Sequence, residues 1–156
     1  APFAFETDYA PAPGISRFRT GTHSPLAFAA LEASLTLWQE VDLTALRHKS
    51  QRLIELFRES LSDCLDEYGI RDITPDEAQR GSQVGLMAPA HGYAIIQALI
   101  ARGVIGDYRE PGLMRFGFAP LYLSHEDVWQ AAQHLREVLS EGEYLAPRFQ
   151  QRGAVT

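Results

Sequence analysis

Two residue types are almost missing from this chain of 156 residues, which has one lysine, Lys49, and one cysteine, Cys64. A single cysteine cannot form a disulfide within the chain, and its apolar helical surroundings predict a buried thiol in a reducing compartment. Lys49 lies at the polar margin of a predicted helix, flanked by Arg47, His48 and Arg52. We therefore expect a solvated lysine on a helix face, because its neighbours are other cations rather than a cofactor pocket.

Several kinds of pattern are also absent. There is no run of basic residues, and the formal net charge is −6, which argues against nucleic acid or an anionic membrane as a partner. No apolar stretch approaches the roughly 20 residues that span a bilayer, and the first thirteen residues do not resemble a signal peptide. The five histidines show no ligand spacing, so we expect no metal site. Motifs of phosphate-binding glycine loops and of serine hydrolases are missing too.

The patterns that are present predict an α+β fold. Residues 1–17 are rich in proline and alanine without a period, and they read as an extended arm before a single domain over 18–156. Ser24, Asp42 and Ser124 are candidate helix caps. The predicted helices begin at these caps and over 91–102, and the predicted strands cover 70–74, 82–86, 104–108 and 113–118. The predicted strands occur in two consecutive pairs, with helices between and outside the pairs. This order favours a small, mainly antiparallel sheet covered by helices.

The helical stripes predict which side chains face a core. The expected stripes are Leu26, Ala30, Ala33 and Leu37; then Leu46, Leu53, Phe57, Leu61, Cys64 and Tyr68; then Ile96, Leu99 and Ile100; and last Val128, Ala132, Leu135 and Leu139. Gly69 is the expected end of the second helix. Trp38 and Trp129 fall on helices, where the simplest reading is a core or interface aromatic.

The stretch 102–122, RGVIGDYREPGLMRFGFAPLY, is the most informative part of the chain. It predicts two strands around a Pro-Gly turn, with Met114, Phe116 and Phe118 on one face and Arg115 on the other. Gly117 leaves space beside the guanidinium, whose planar fork suits a carboxylate. From the residues alone, a structural arginine that pairs with a nearby Asp or Glu is the more frequent case.

The same stretch, VIGDYREPGLMRFGFAPLY followed by SHEDVW, closely resembles the C-terminal part of the kynureninase family. FRTGTHSPLAFAALEASL at 18–35, LRHKS at 46–50, RGSQVGL at 80–86 and HGYAIIQALIARGVIGD at 91–107 agree with that family in order and spacing. The resemblance implies the small C-terminal domain of a fold-type I pyridoxal-phosphate enzyme, of the aspartate-aminotransferase-like superfamily. It also implies that the larger domain, with the Schiff-base lysine, lies outside this sequence.

The resemblance assigns roles to two residues. Thr22 matches a position that contacts the cofactor phosphate, typically from the neighbouring subunit of a dimer, and Arg115 matches the arginine that binds the α-carboxylate of the substrate. The full enzyme would use pyridoxal 5′-phosphate to hydrolyse kynurenine, or its 3-hydroxy form, to the corresponding anthranilate and alanine. We expect that enzyme to be a cytoplasmic homodimer. This fragment alone is expected to be inactive and to bind no cofactor, with no catalytic residue of its own.

Two alternative interpretations belong to other classes. One is the small domain of a related fold-type I enzyme, such as a cysteine desulfurase, which would need a reactive cysteine on a mobile loop rather than Cys64 in a helix. The other is a non-enzymatic α+β interaction module that is complete at this length.

Overall fold

The computed structural model describes residues 7–19 and 21–151 of the chain. The helices are α1 (Pro25–Trp38), α2 (Leu43–Glu59), α3 (Gly92–Ala101), α4 (His125–Ser140) and α5 (Pro147–Gln150), with 3-10 turns at Gly14–Phe18, Leu65–Tyr68 and Glu143–Leu145. The strands are β1 (Arg71–Asp72), β2 (Gln83–Met87), β3 (Asp107–Arg109) and β4 (Leu113–Gly117). The chain divides into two compact units, 1–41 and 42–156. The sequence-based hypothesis placed this boundary after residue 17.

In the first unit, α1 begins as its sequence predicts. The Ser24 hydroxyl accepts a hydrogen bond from the Ala27 amide, and Pro25 occupies the first turn. Residues 7–13 contain no helix or strand, and the part of the predicted arm over residues 1–6 lies outside the described residues. No residue of α1 is buried, so the predicted stripe from Leu26 to Leu37 packs on no core here.

In the second unit, four strands form one sheet in the order β1-β2-β4-β3, with every neighbouring pair antiparallel. One face of this sheet is covered by α2 and α3, with α4 packed against both helices, which confirms the predicted α+β class. Phe57 of α2 lies 5.1 Å from Phe116 and 5.2 Å from Phe118, measured between ring centroids. The aromatic face of β4 therefore forms the centre of the core, as the alternation predicts.

The helix caps of this unit follow the sequence closely. Asp42 accepts hydrogen bonds from the amides of Thr44 and Ala45, and Ser124 forms a full capping box with Asp127. The predicted stripe of α4 is buried at all four positions, Val128, Ala132, Leu135 and Leu139.

Other predictions for this unit were wrong in detail. Helix α2 ends at Glu59, ten residues before Gly69, and beyond it the amides of Leu61 and Ser62 bond three residues back instead of four, which tightens the chain into turns. Gly69 instead ends the short 3-10 turn after Cys64, with a positive φ of 64°. Ile100 is 40% exposed, since it lies at the edge of the face that buries Leu99.

The two tryptophans are not core residues. Trp38 is 43% exposed and Trp129 is 46% exposed, so their rings lie partly in solvent in this chain. Cys64 follows α2 rather than lying within it and is half-buried. Burial raises the pKa of its thiol above the ordinary value.

Candidate functional site

The outer face of the sheet, turned away from the core, carries the candidate substrate-binding arginine. Arg115 lies at the middle of β4, in register with Gly85 on β2 and with Asp107 on β3. Its strand neighbours Met114 and Phe116 are buried against the helices, whereas the Arg115 side chain is 31% exposed. The alternation predicted for β4 is confirmed, because the guanidinium and the aromatic rings lie on opposite faces.

Arg115 has one ion-pair partner among the described residues. Its Nη2 atom donates a hydrogen bond to Oδ2 of Asp107, whose side chain is 42% exposed. The hydrogen bond from Arg115 is the main reason why the pKa of Asp107 lies below its ordinary value. Arg109 contacts the same oxygen through Nε at 3.3 Å. The pairing with a nearby carboxylate that we considered from the sequence is therefore present.

The ion pair does not use the whole guanidinium. A guanidinium has five N–H donors, and Asp107 engages only one of its three nitrogens. Nε of Arg115 is buried and has no hydrogen-bond partner, and no residue in the described part of the chain accepts from Nη1. Nη1 and the second N–H of Nη2 therefore remain for a second carboxylate, whereas the buried Nε is out of its reach.

Small residues keep the surroundings of Arg115 open. A methyl group placed on Gly117 would meet nothing within 4 Å, which agrees with the space expected beside the guanidinium. Gly85 has no side chain opposite Arg115, and a methyl group there would touch Leu113 and Ile73 at 3.4 and 3.5 Å. The outer face thus offers a charged group with open space beside it at Gly117, whereas the side chains of Leu113 and Ile73 lie over Gly85.

The turn before β4 is built around Gly112. Its φ is +149°, and a methyl group at this position would lie 2.7 Å from the Cα atom of Pro89 and 2.9 Å from the carbonyl oxygen of Ala88. Only glycine fits such a close approach of two backbones. The predicted Pro-Gly turn is confirmed, and its glycine fixes the hairpin that carries Arg115.

Thr22, the candidate phosphate-binding residue, lies in the first unit. It is exposed two residues before the capping residue Ser24, and the first turn of α1 contains no acidic side chain. Hydroxyl and amide donors at a helix start without a carboxylate suit an anion. The residues present therefore fit a phosphate group. Thr22 and Arg115 belong to different units.

Lys49 differs from the expected solvated lysine. Its side chain is half-buried, and Nζ donates a 2.7 Å hydrogen bond to the carbonyl oxygen of Pro120. The prediction of an exposed amine was wrong because the segment after β4 runs beside α2, a long-range contact that helical periodicity does not reveal.

Asp107 is a site residue that the sequence reasoning missed. A signal was present, since Asp107 and Arg115 lie four residues before and four residues after Pro111 in the turn. Residues at equal distances from the centre of a hairpin turn face each other across the two strands. The predicted β3 began and ended too early, at 104–108 instead of 107–109, although both ranges contain Asp107.

Within residues 7–19 and 21–151, no group of three or more His, Cys, Asp or Glu side chains could hold a metal ion. No helix in these ranges is both long enough and apolar enough to cross a membrane.

Comparison with known proteins gives the family. Residues 46–135, more than half of the chain, match the model of the kynureninase C-terminal domain. The matched segment runs from α2 into α4. It contains the whole sheet, with Arg115 and Asp107, and also Lys49 on α2. This chain belongs to the kynureninase C-terminal domain family.

Curated relatives extend the match beyond that domain. A kynureninase of Burkholderia mallei (strain SAVP1) is 43% identical over 157 residues, which cover 100% of this chain and 38% of the relative. A kynureninase of Pseudomonas fluorescens is 44% identical over 155 residues, which cover 99% of this chain and 37% of the relative. The chain thus spans less than two-fifths of the length of these relatives. The aligned part includes the first unit with Thr22, which lies outside the match to the domain model.

Proposed function

We propose that this chain is the C-terminal part of an enzyme that hydrolyses kynurenine, or its 3-hydroxy form, to the corresponding anthranilate and alanine. Membership of the kynureninase C-terminal domain family supports the proposal. The observation that carries it is the state of Arg115, a guanidinium whose Nη1 donors are unused in the described chain and which has open space beside it at Gly117. In this proposal Arg115 binds the α-carboxylate of the substrate.

The physical case for Arg115 rests on geometry and charge. A carboxylate can accept two parallel hydrogen bonds from one guanidinium, which fixes both the position and the orientation of the amino-acid end. The open space at Gly117 gives a small carboxylate room to approach. Holding the substrate in one orientation lowers the entropic part of the barrier, so Arg115 would contribute by positioning rather than by proton transfer.

The cofactor of the full-length enzyme is pyridoxal 5′-phosphate in this proposal. When bound, it supplies the electron sink for cleavage of the Cβ–Cγ bond. Thr22 would donate a hydrogen bond to its phosphate, supported by the acid-free start of α1. The Schiff-base lysine would come from the rest of the polypeptide, since Lys49 already bonds to Pro120.

The rest of the longer polypeptide is the partner that we propose for α1. This helix has 14 residues with one charged side chain, Glu32, and it exposes six large apolar ones. A helix that is apolar on all sides is normally buried in a protein core. We place the larger, cofactor-binding domain against it, in a cytoplasmic homodimer. The exposed side chains are Leu26, Phe28, Leu31, Leu35, Leu37 and Trp38.

The test is substitution of Arg115 in the full-length enzyme. Arg115→Ala should lower kcat/KM for kynurenine by a factor that corresponds to a loss on the order of 2–5 kcal/mol in transition-state stabilisation. The cofactor spectrum and the melting temperature should be retained. Arg115→Lys keeps the charge but loses the two-pronged geometry, so it should also bind kynurenine less well. The amine formed by decarboxylation of kynurenine has no carboxylate, and both variants should handle it about as the unmodified enzyme does.

A matched control separates this role from general damage. Arg136 on α4 is 35% exposed in its side chain and forms an ion pair with Asp63, so it resembles Arg115 in exposure and pairing. Arg136→Lys should leave the KM for kynurenine unchanged. If Arg115→Ala impairs kynurenine and the decarboxylated amine by the same factor, Arg115 only stabilises the sheet and the proposed role is wrong.

A further inference from the structure

Asp107 is the group that holds the Arg115 guanidinium in place. Among the described residues, the carboxylate of Asp107 is the hydrogen-bond acceptor for this guanidinium, and it lies on the neighbouring strand in register with Arg115. An arginine side chain has several rotatable bonds and loses much of its rotamer freedom when it is fixed. Without Asp107, the head group would sample the open space beside Gly117.

We propose that Asp107 is a positioning residue for substrate binding: it orients Arg115 so that the remaining N–H donors face an incoming carboxylate. The inference rests on the proposed function of Arg115. Asp107 holds Nη2, while Nη1 has no acceptor in the described chain and Nε is buried. The bond from Nη2 to Asp107 restricts the orientation of the guanidinium plane before the substrate arrives. A free arginine would have to be ordered at each binding event, which weakens binding.

Two charged groups beside Arg115 act in opposite directions on an incoming carboxylate. Asp107 is negative and would repel a substrate carboxylate, whereas Arg109 is positive and contacts the same Asp107 oxygen. Removal of the Asp107 charge therefore makes the site more positive. If charge dominates, the variant binds kynurenine more tightly; if orientation dominates, it binds kynurenine less tightly. We expect orientation to dominate, because exposed charges at this surface are screened by salt.

The experiment uses Asp107→Ala and Asp107→Asn in the full-length enzyme loaded with its cofactor. Asp107→Ala should raise the KM for kynurenine roughly twofold to tenfold, the range expected when one freed side chain must be ordered on binding, with a smaller change in kcat. Asp107→Asn keeps an oxygen acceptor for Nη2 and should recover part of the loss. Neither variant should change the KM for the decarboxylated amine, which a general structural defect would raise.

Arg109→Gln is the matched control on the same strand. The Arg109 side chain, which is 64% exposed, contacts Asp107, and its removal leaves the Asp107–Arg115 pair intact. The KM of the Arg109→Gln enzyme for kynurenine should therefore be close to the unmodified value. An unchanged or lower KM for kynurenine in both Asp107 variants overturns the inference, as does an equal rise for the decarboxylated amine. If Arg115→Ala discriminates between the two compounds while the Asp107 variants do not, the positioning role alone fails and the function of Arg115 stands.

Discussion

The Nζ atom of Lys49 donates a 2.7 Å hydrogen bond to the carbonyl oxygen of Pro120 and so joins α2 to the segment after β4. The two residues are 71 positions apart in the sequence. The contact ties the end of the strand that carries Arg115 to the helix behind the sheet, and it occupies the chain's one lysine side chain.

We expect Lys49 to form no specific Schiff base with pyridoxal phosphate. An amine that forms an imine needs a free nitrogen with room to attack, whereas Nζ of Lys49 is half-buried and already bonded to the carbonyl oxygen of Pro120. Borohydride reduction of the chain with added cofactor, followed by peptide mapping, would measure this. Sparse labelling at several amines is the expected background, whereas saturable, stoichiometric labelling of Lys49 would contradict the prediction.

The elements that could be predicted from the sequence depend on local chemistry. Ser24 followed by Pro25, the Asp42 cap and the Ser124–Asp127 capping box act within one helical turn, and all three begin helices where expected. The alternation around Arg115 was equally readable, because the two faces of a strand follow from its period of two. The composition of this hairpin therefore predicted the outer-face arginine without any tertiary information.

The parts that could not be predicted depend on contacts between distant residues. Arg80 is buried, with a 3% exposed side chain, and its Nε donates a 2.9 Å hydrogen bond to Gln51 on α2. Nothing near Arg80 in the sequence indicates this partner, as nothing near Lys49 indicates Pro120. The exposure of α1 was also unpredictable, since an apolar stripe gives the face that packs but not the group that covers it.

Thr22→Ala in the full-length enzyme should weaken retention of the cofactor. Loss of one hydrogen bond to a charged phosphate costs about 1.5–3 kcal/mol, which dialysis against buffer at several cofactor concentrations would resolve. Thr36→Ala is the matched control, because Thr36 lies near the other end of α1 and its hydroxyl donates a hydrogen bond to the carbonyl oxygen of Ala33 in the same helix. Equal cofactor affinity in both variants would make Thr22 a turn residue.

Gly112→Ala should destabilise the second unit by at least ~2 kcal/mol, since the added methyl group meets three backbone atoms at a strained φ. Urea unfolding of the 156-residue chain would measure the loss. Gly81→Ala is the matched control, because a methyl group there meets nothing within 4 Å and φ lies outside the left-handed region. A free energy of unfolding for Gly112→Ala equal to that of Gly81→Ala would show that the Pro89 segment moves aside at little cost.

Cys64 should be a slow nucleophile in the folded chain. Burial raises the pKa of its thiol above the ordinary 9.0, so at any pH below that range less of the reactive thiolate is present than in the unfolded chain. The rate of alkylation by iodoacetamide, measured against pH, should therefore reach its half-maximum at a higher pH in buffer than in urea. The chain has one cysteine, so the signal reports this thiol alone. The pH midpoint is the decisive quantity, because steric protection lowers the rate at every pH but leaves the midpoint in place. A midpoint in buffer at or below the midpoint in urea would contradict the prediction, and it would give Cys64 the activated character that a desulfurase requires.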